Sequence, residues 1–491
     1  MTVDVGANEF AGVRPELLIG GEWRGASDGA TIEKLNPSTE QLLVRVAAAS
    51  AADVDAAVNA ARAQSDGGEW SQMPGAARGA LLNRLADMIE GDSENLARIT
   101  ALENGRPISE PTMLDVPNTI ATFRHFAGWA DKVTGTLVPT AGYFGRPTHS
   151  YVTREPVGVV GAIVPWNTPL MIASWKLAPA LAAGCTVVLK PAQDAMLAIL
   201  RLAQLISDAG FPAGVVNVVP GVGAVAGTAL VRHPGVDKIS FTGSPEVGLE
   251  VQRTAADTFK RVTLELGGKS PQIILDDADV EQAIGGCAMG LFFNQGQTCA
   301  AGTRILVARP LYEDFLNAFK GAAESIVVGD PTDANTQMGP LINRAQLERV
   351  QNYIEIGVTE GAELIAGGGQ PRHPGYFIEP TIFAGSNEMR IAQEEIFGPV
   401  GTVIAVDDAA EATRVANDSA YGLAATIWTR DISKAHLVAR QLRAGAVWVN
   451  GWAALDPALP WGGMKGSGVG RELGWAGIEA NTEEKSITIV L

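Results

Sequence analysis

From residue 157 onward, short runs of uninterrupted apolar residues alternate with helical stretches, and this alternation constrains the fold more than any other feature of the chain. VGVVGAIV (157–164) reads as a buried strand, IASWKLAPALAAG (172–184) as a helix and TVVLK (186–190) as a strand. A helix at about 196–209, the strand VVNVV (215–219), the helix AVAGTALVRH (224–233) and the strand KISFTG (238–243) follow. Strands that are apolar throughout, each followed by a helix, need helices on both faces, so these runs predict a parallel doubly wound sheet of α/β class. RVTLEL (261–266), PQIIL (271–275), TRILVA (303–308), VGTVIAV (400–406), AATIWT (424–429) and AVWVN (446–450) continue the pattern, with helices at 280–294, 311–325, 409–419 and 434–442. They predict a second α/β domain, as a chain of 491 residues requires, since one core stops growing well below that length.

The first third is helical: Ser50 is an N-cap for a helix at about 51–63, and further helices are expected at 79–90 and 117–130. A Gly-, Pro- and Thr-rich stretch (135–148) with a strand-like 150–153 reads as a hairpin-like excursion. The tail KSITIVL (485–491) reads as an edge strand offered to that excursion or to another subunit.

A net charge of -17 repels phosphate backbones and anionic lipid, which argues against nucleic acid or a membrane surface as partner. The N-terminal MTVDVGANEF is acidic and lacks the apolar centre of a secretory signal, and no run reaches the ~18 apolar residues of a membrane helix. Cys185, Cys287 and Cys299 are too few and too unevenly placed for a disulfide framework, so a reducing cytoplasm is the expected location. No Cys pair or HExxH stretch suggests a zinc site, and none of the five histidines (125, 149, 233, 373, 436) lies in a site-like motif, so no metal is expected.

Cys299, in FFNQGQTCAAGTR (292–304), is open to two readings: a buried core thiol, or a nucleophile presented by a polar, glycine-containing loop whose backbone N–H groups lower the thiol pKa. Cys185 and Cys287 sit in apolar runs and read as core. Glu265, in LELGGKSP (264–271), is an exposed acid at a strand end or a carboxylate between leucines, raised in pKa and suited to general-base work. Asn167, in VPWNTPL (164–170), is a turn residue or an amide donor to an oxyanion. Gly243 and Ser244, in FTGSPEVG (241–248), form a strand–turn–helix start that can meet a pyrophosphate, although the three-glycine fingerprint is missing. Lys190 ends a parallel strand, where a cation can reach a ribose or phosphate.

VPWNTPL, WKLAPALAAGCTVVLKPA, FTGSPEVG, LELGGKSP, FFNQGQTCAAGTR, QEEIFGPV (393–400) and PWGGMKGSGVGRELG (460–474) together make the chain similar to the aldehyde dehydrogenase superfamily, from about Leu17 to the C-terminus. The resemblance implies a Rossmann-type cofactor domain (1–131 and 152–265), a catalytic domain (266–469) and oligomerisation segments (132–151 and 470–491) of a homodimer or homotetramer. It implies oxidation of an aldehyde to the acid with NAD or NADP, through a Cys299 thioester hydrolysed by water that Glu265 activates. Asn167 and the Cys299 N–H then hold the oxyanion, and Lys176 and Glu472 match a proton relay. Val164, Pro165, Trp166, Lys190, Gln193, Gly243, Ser244, Leu266, Glu395 and Phe397 match cofactor positions. Gln193 departs from the glutamate of NAD-preferring members, which removes a charge that repels a 2′-phosphate and predicts that NADP is tolerated.

Thr168, Met171, Ile172, Trp175, Phe293, Thr298, Leu455 and Trp461 match the substrate tunnel of such enzymes. The set lacks Arg and Lys and has Thr168 where many relatives carry an aromatic, so a tunnel widened there and a medium-sized hydrophobic aldehyde (aromatic, terpenoid or aliphatic) are expected. A quaternary-ammonium aldehyde of betaine type, held by Trp175 and Trp461, is the alternative. A CoA-acylating dehydrogenase and a non-catalytic structural relative are the other readings. Glu265 argues against the first; Cys299, Glu265 and Asn167 together argue against the second.

Overall fold

The computed structural model describes residues 10–372 and 374–491; residues 1–9 of the expected cofactor-binding segment, and His373, lie outside the described residues. The protein is α/β and built on two large sheets. The first runs Gly468–Val469, Arg261–Glu265, Lys238–Thr242, Val159–Ile163, Thr186–Lys190, Val216–Val218, Leu17–Ile19, Glu22–Arg24. The strands from Arg261–Glu265 to Val216–Val218 are parallel. Their side chains alternate between two cores: Val160 and Ala162 face one, Val159 and Ile163 the other, which is why the run had to be apolar throughout. Strand order reverses at Val159–Ile163, whose neighbours are Thr186–Lys190 and Lys238–Thr242, so a crevice opens at the carboxyl ends of these strands.

The second sheet runs Glu363–Ala366, Thr381–Ala384, Val400–Val406, Arg304–Ala308, Pro271–Ile274, Ala424–Trp428, Ala446–Val449, parallel except for its first pair. The tail Thr482–Val490 pairs along its whole length with Thr148–Pro156 of the same chain, and Thr136–Leu137 completes this small sheet. Of the two destinations expected for the tail, it takes the excursion.

Several boundaries differ from expectation. Gly468–Val469 bonds antiparallel to Leu264 and Glu265, so a piece of the segment assigned to the second domain edges the first sheet. The excursion's long strand runs past 151 to Pro156. The helix at 51–63 extends to Ser65, with Ser50 and Asp53 forming a capping box. The helix expected from 117 starts as a π-turn at Pro111–Asp115 and continues as Val116–Ala127. The helices Ser93–Asn104 and Arg344–Thr359 and the N-terminal strand pairs lie outside the expected elements, although Arg344–Thr359 buries a regular stripe of Leu347, Val350, Tyr353 and Ile354.

Candidate active site

Asn167 follows the strand Val159–Ile163 and Glu265 ends Arg261–Glu265, both at the carboxyl ends of parallel strands. Asn167 lines the cavities at Cys299, whereas Glu265 lines neither of them and acts on the thiol through its charge. Cys299 reaches the same place from the second domain, in the loop between the helix Val280–Phe292 and the strand Arg304–Ala308. Within that loop Asn294 (φ 52°) and Gln295 (φ 55°) are left-handed, at a cost of about 1 kcal/mol or more each. One hydrogen bond to a charged acceptor offsets that cost at Asn294: its single N–H is shared between both oxygens of Glu110 (2.9 and 3.1 Å), a bond contributing about 1.5–3 kcal/mol.

Glu265 is 3 % exposed and neither carboxylate oxygen has a hydrogen-bond partner among the described residues. Burial, then the charge of Glu472, hold its pKa well above the usual carboxylate range, opposed by Lys176 and Arg471. Lys176 donates to Glu472 (2.5 Å) and to Ser240 Oγ (3.1 Å), and Ser240 donates to Glu472 (2.9 Å), all of them buried. Lys176 and Glu472 therefore meet beside Glu265, with Ser240 as a member that sequence reading missed.

The half-buried Cys299 corrects one expectation: its thiol pKa is pushed up to about 12, not down. Burial acts first, then the charges of Glu395 and Glu265; the N–H groups of Ala300 and Cys299 pull the other way and lose.

A cavity of about 260 Å³ runs from Cys299, Asn167 and Thr168 past Pro165, Trp166, Leu266, Glu395 and Phe397 to Gly243 and Ser244. Gly267 and Gly243 leave room that a side chain would take: a Cβ would lie 2.2 Å from Glu395 Oε2 and 2.5 Å from Phe241 Cζ respectively. Glu395 accepts from Gly268 N (3.0 Å), and burial lifts its carboxyl to about 7. Trp166 and Phe397 meet edge-on at 5.1 Å. Ser244 caps the helix Pro245–Ala256, whose N-terminus can face an anion. A second cavity, about 320 Å³, lies between that helix and Thr228–Arg232, with apolar walls from Ile163, Val231, Phe241 and Val251 and the buried Lys190 at one side. Lys190 Nζ donates to Pro191 O (3.0 Å), and burial lowers its pKa to about 8. A flat apolar slot, an adjacent cation, a helix N-terminus and a ring-lined end next to a thiol fit a dinucleotide. Val164 is buried outside both cavities, and Gln193 is exposed and lines neither. Glu246, Gln346, Arg349 and Tyr421 also line the first cavity and were missed.

A third cavity, about 40 Å³, lies on the other side of the thiol. Thr168, Met171, Ile172, Trp175, Phe293, Thr298, Leu455 and Trp461 all line it, joined by Leu114, Trp448 and Trp452. The bore is narrow despite the small Thr168, because Trp448 stacks on Trp461 (6.2 Å) and Trp452 packs on Phe293 (5.6 Å). Asn167, Thr168, Ile172 and Cys299 line both this cavity and the first, so the thiol stands where a polar and an apolar chamber meet.

A doubly wound nucleotide-type sheet facing a thiol, an amide and a buried carboxylate across a domain crevice is the architecture of an NAD(P)-dependent oxidoreductase. The chain belongs to the aldehyde dehydrogenase family, whose profile matches residues 23–487, and it oxidises aldehydes to acids with NAD(P)+. It is 46% identical to the mitochondrial aldehyde dehydrogenase of Homo sapiens over 477 residues, 96% of this chain and 92% of that one. The NAD+ complex of aldehyde dehydrogenase from Bacillus cereus superposes with a TM-score of 0.96 at 45% identity, covering 100% of this chain and 99% of that one. Betaine aldehyde dehydrogenase from Staphylococcus aureus, in complex with NAD+, gives 0.96 at 38% identity, covering 99% and 96%.

Proposed function

We propose that the preferred substrate is a medium-sized hydrophobic aldehyde (aromatic, terpenoid or aliphatic), oxidised through a thioester on Cys299, which requires the apolar chamber of about 40 Å³ to widen as the aldehyde binds. The observation that carries this reading is the placement of Cys299 between the two chambers, one walled by indoles and phenyl rings, the other by Glu395, Phe397 and the Ser244 helix start. The aldehyde carbon, held in the aromatic chamber, is attacked by the sulfur as the thiol passes its proton to the Glu265 carboxylate, which hands it on to the Lys176, Glu472 and Ser240 cluster before hydrolysis. The oxygen that becomes negative is held by the Asn167 amide and the Cys299 N–H. Bound in the polar chamber, NAD(P)+ supplies the hydride acceptor. Glu265 takes a proton from the water that cleaves the thioester, and Lys176, Glu472 and Ser240 carry that proton away from the site.

Lys190 sits to meet the adenosine ribose, Gly243 and Ser244 the pyrophosphate, and Glu395 and Phe397 the nicotinamide ribose and ring. Both NAD and NADP are accepted on this reading. It also includes a homodimer or homotetramer, joined through segments 132–151 and 470–491, working in the cytoplasm. Among the described residues, no helix is long and apolar enough to cross a membrane.

A betaine-type aldehyde is the second reading, favoured by the Trp175–Trp461 pair (5.6 Å) as a cation-π surface and by likeness to the Staphylococcus aureus enzyme. Steady-state kcat/KM across aldehydes of graded size and polarity, each with both cofactors, separates the two. Benzaldehyde- and citral-like compounds leading the panel is the expected result. Glycolaldehyde or succinic semialdehyde outpacing every hydrophobic aldehyde overturns the first reading, and betaine aldehyde outpacing them replaces it with the second.

A further inference from the structure

The loops that carry Asn167 and Cys299 are both fastened to one segment that the chemistry above does not use, residues 103–115. Glu103 anchors the segment by accepting from Leu197 N (2.7 Å) and Ala198 N (2.9 Å) at the start of the helix Leu197–Ala209. The Asn104 amide donates to the carbonyl of Trp166, next to Asn167. Gly105 O accepts from the Gln295 amide (2.8 Å), and Glu110 accepts the Asn294 N–H. Arg106, fully buried, holds Glu110 (3.0 Å) and Asp115 (2.5 Å) and lies 5.2 Å from the centre of the Phe293 ring.

Asn294 passes this restraint to the reacting groups. Its side-chain amide donates to Asn167 O (3.0 Å) and to Gln297 O (3.0 Å). The Asn167 amide donates to the same Gln297 carbonyl (3.0 Å), two residues before the thiol. An asparagine amide has two N–H groups, so this bond fixes one and leaves the other to aim at an oxyanion beside Cys299.

We propose that Asn294, held in its left-handed conformation by the Glu110–Arg106 pair, is a positioning residue that sets the Asn167 donor and the Cys299 loop for attack on the aldehyde. This rests on the thioester reading under Proposed function. Neither residue touches the reacting atoms; both act through Asn167 and Gln297. Misplacing a reacting group by about 1 Å is enough to cost on the order of 100-fold in rate.

The test is the rate of hydride transfer in a single turnover, with NAD+ saturating, set against NAD+ affinity from protein fluorescence. Asn294→Gly keeps the backbone conformation at no steric cost but removes both side-chain bonds. It is expected to lower the transfer rate about tenfold or more while leaving NAD+ affinity within about twofold. Glu110→Ala is expected to do the same, and Glu110→Gln, which still offers an oxygen to Asn294 N–H, to recover most of the rate. Should Glu110→Ala fail to fold, Asn294→Gly decides. A transfer rate for Asn294→Gly within about twofold of wild type, or a parallel loss of NAD+ affinity, overturns the proposal. Full turnover by Cys299→Ser, by contrast, sinks the thioester reading itself.

Discussion

Lys176 Nζ donates to Glu472 Oε1 at 2.5 Å in a buried ion pair whose two charges act in opposite senses on Glu265. Glu472 raises the Glu265 pKa and Lys176 lowers it. A general base works only when deprotonated, so thioester hydrolysis should rise with pH until the raised Glu265 pKa is passed. In Glu472→Gln the raising charge is gone and the lowering one remains. The acid limb of the hydrolysis rate should therefore move to lower pH, while the plateau falls about tenfold or more for want of a proton acceptor. Stopped-flow measurement of the hydrolysis step across pH 5–9 checks this; a limb that stays put or moves up refutes the assignment of Glu472.

The same shift has a consequence for stability. Burial raises the folded-state pKa of Glu265, so between the unfolded and folded values the native protein binds more protons than the unfolded chain. Stability is then lost as pH rises through that window. Glu265→Gln keeps the shape and removes the charge, so its Tm should exceed that of wild type by a few degrees at pH 8, and the difference should shrink toward pH 5. A variant that melts below wild type at pH 8 contradicts the reading of Glu265 as a charged group held against its preference.

For the thiol, burial with Glu395 and Glu265 nearby pushes the Cys299 pKa up to about 12. Alkylation by iodoacetamide in the absence of cofactor should thus be slow near neutrality and climb about tenfold per pH unit through pH 7–10. Removing one charge, in Glu395→Gln, should speed the reaction at fixed pH. On the proposed reading a bound, positively charged nicotinamide ring would act on the sulfur in the same direction, so NAD+ should accelerate alkylation wherever it does not block access. A rate independent of pH above 7 would mean that the sulfur is already a thiolate.

The parallel strands were legible because each is buried on both faces and so had to be apolar along its centre, as Val159–Ile163 is throughout and Thr186–Lys190 is at Val187, Val188 and Leu189. The loops after them were legible for the opposite reason: polar Asn167, Glu265 and Gly243 interrupt apolar runs where a doubly wound sheet opens. What escaped depends on convergence from afar. ENGRPISEPTMLD (103–115) carries four charged residues and no apolar period, yet Arg106 and Asp115 are fully buried, paired with one another and, through Arg106, with Glu110. Trp448 reads as part of the strand 446–450 and Trp452 falls just past it, and only packing sets them on Trp461 and Phe293. The sign of the Cys299 shift follows first from burial and then from Glu395 and Glu265, which lie in segments far from the thiol and from each other. Gly468–Val469 is too short to carry any strand pattern.

Cofactor choice turns on the neighbourhood of Lys190. Gln193 is neutral and exposed, while Asp194, whose charge supports Lys190, accepts from the Asn343 amide at 3.1 Å. If the cavity beside Lys190 takes the adenosine, as proposed, a 2′-phosphate meets no repulsion from position 193 and has Lys190 as well as Glu250 on the cavity wall. NADP should therefore support turnover with a kcat/KM less than about a thousandfold below that of NAD, and Gln193→Glu should lower the NADP value about tenfold or more with little change for NAD. Asp194→Asn separates the two acidic positions. If it improves NADP use while Gln193→Glu leaves it unchanged, the discriminating charge is Asp194, and the role given to Gln193 fails.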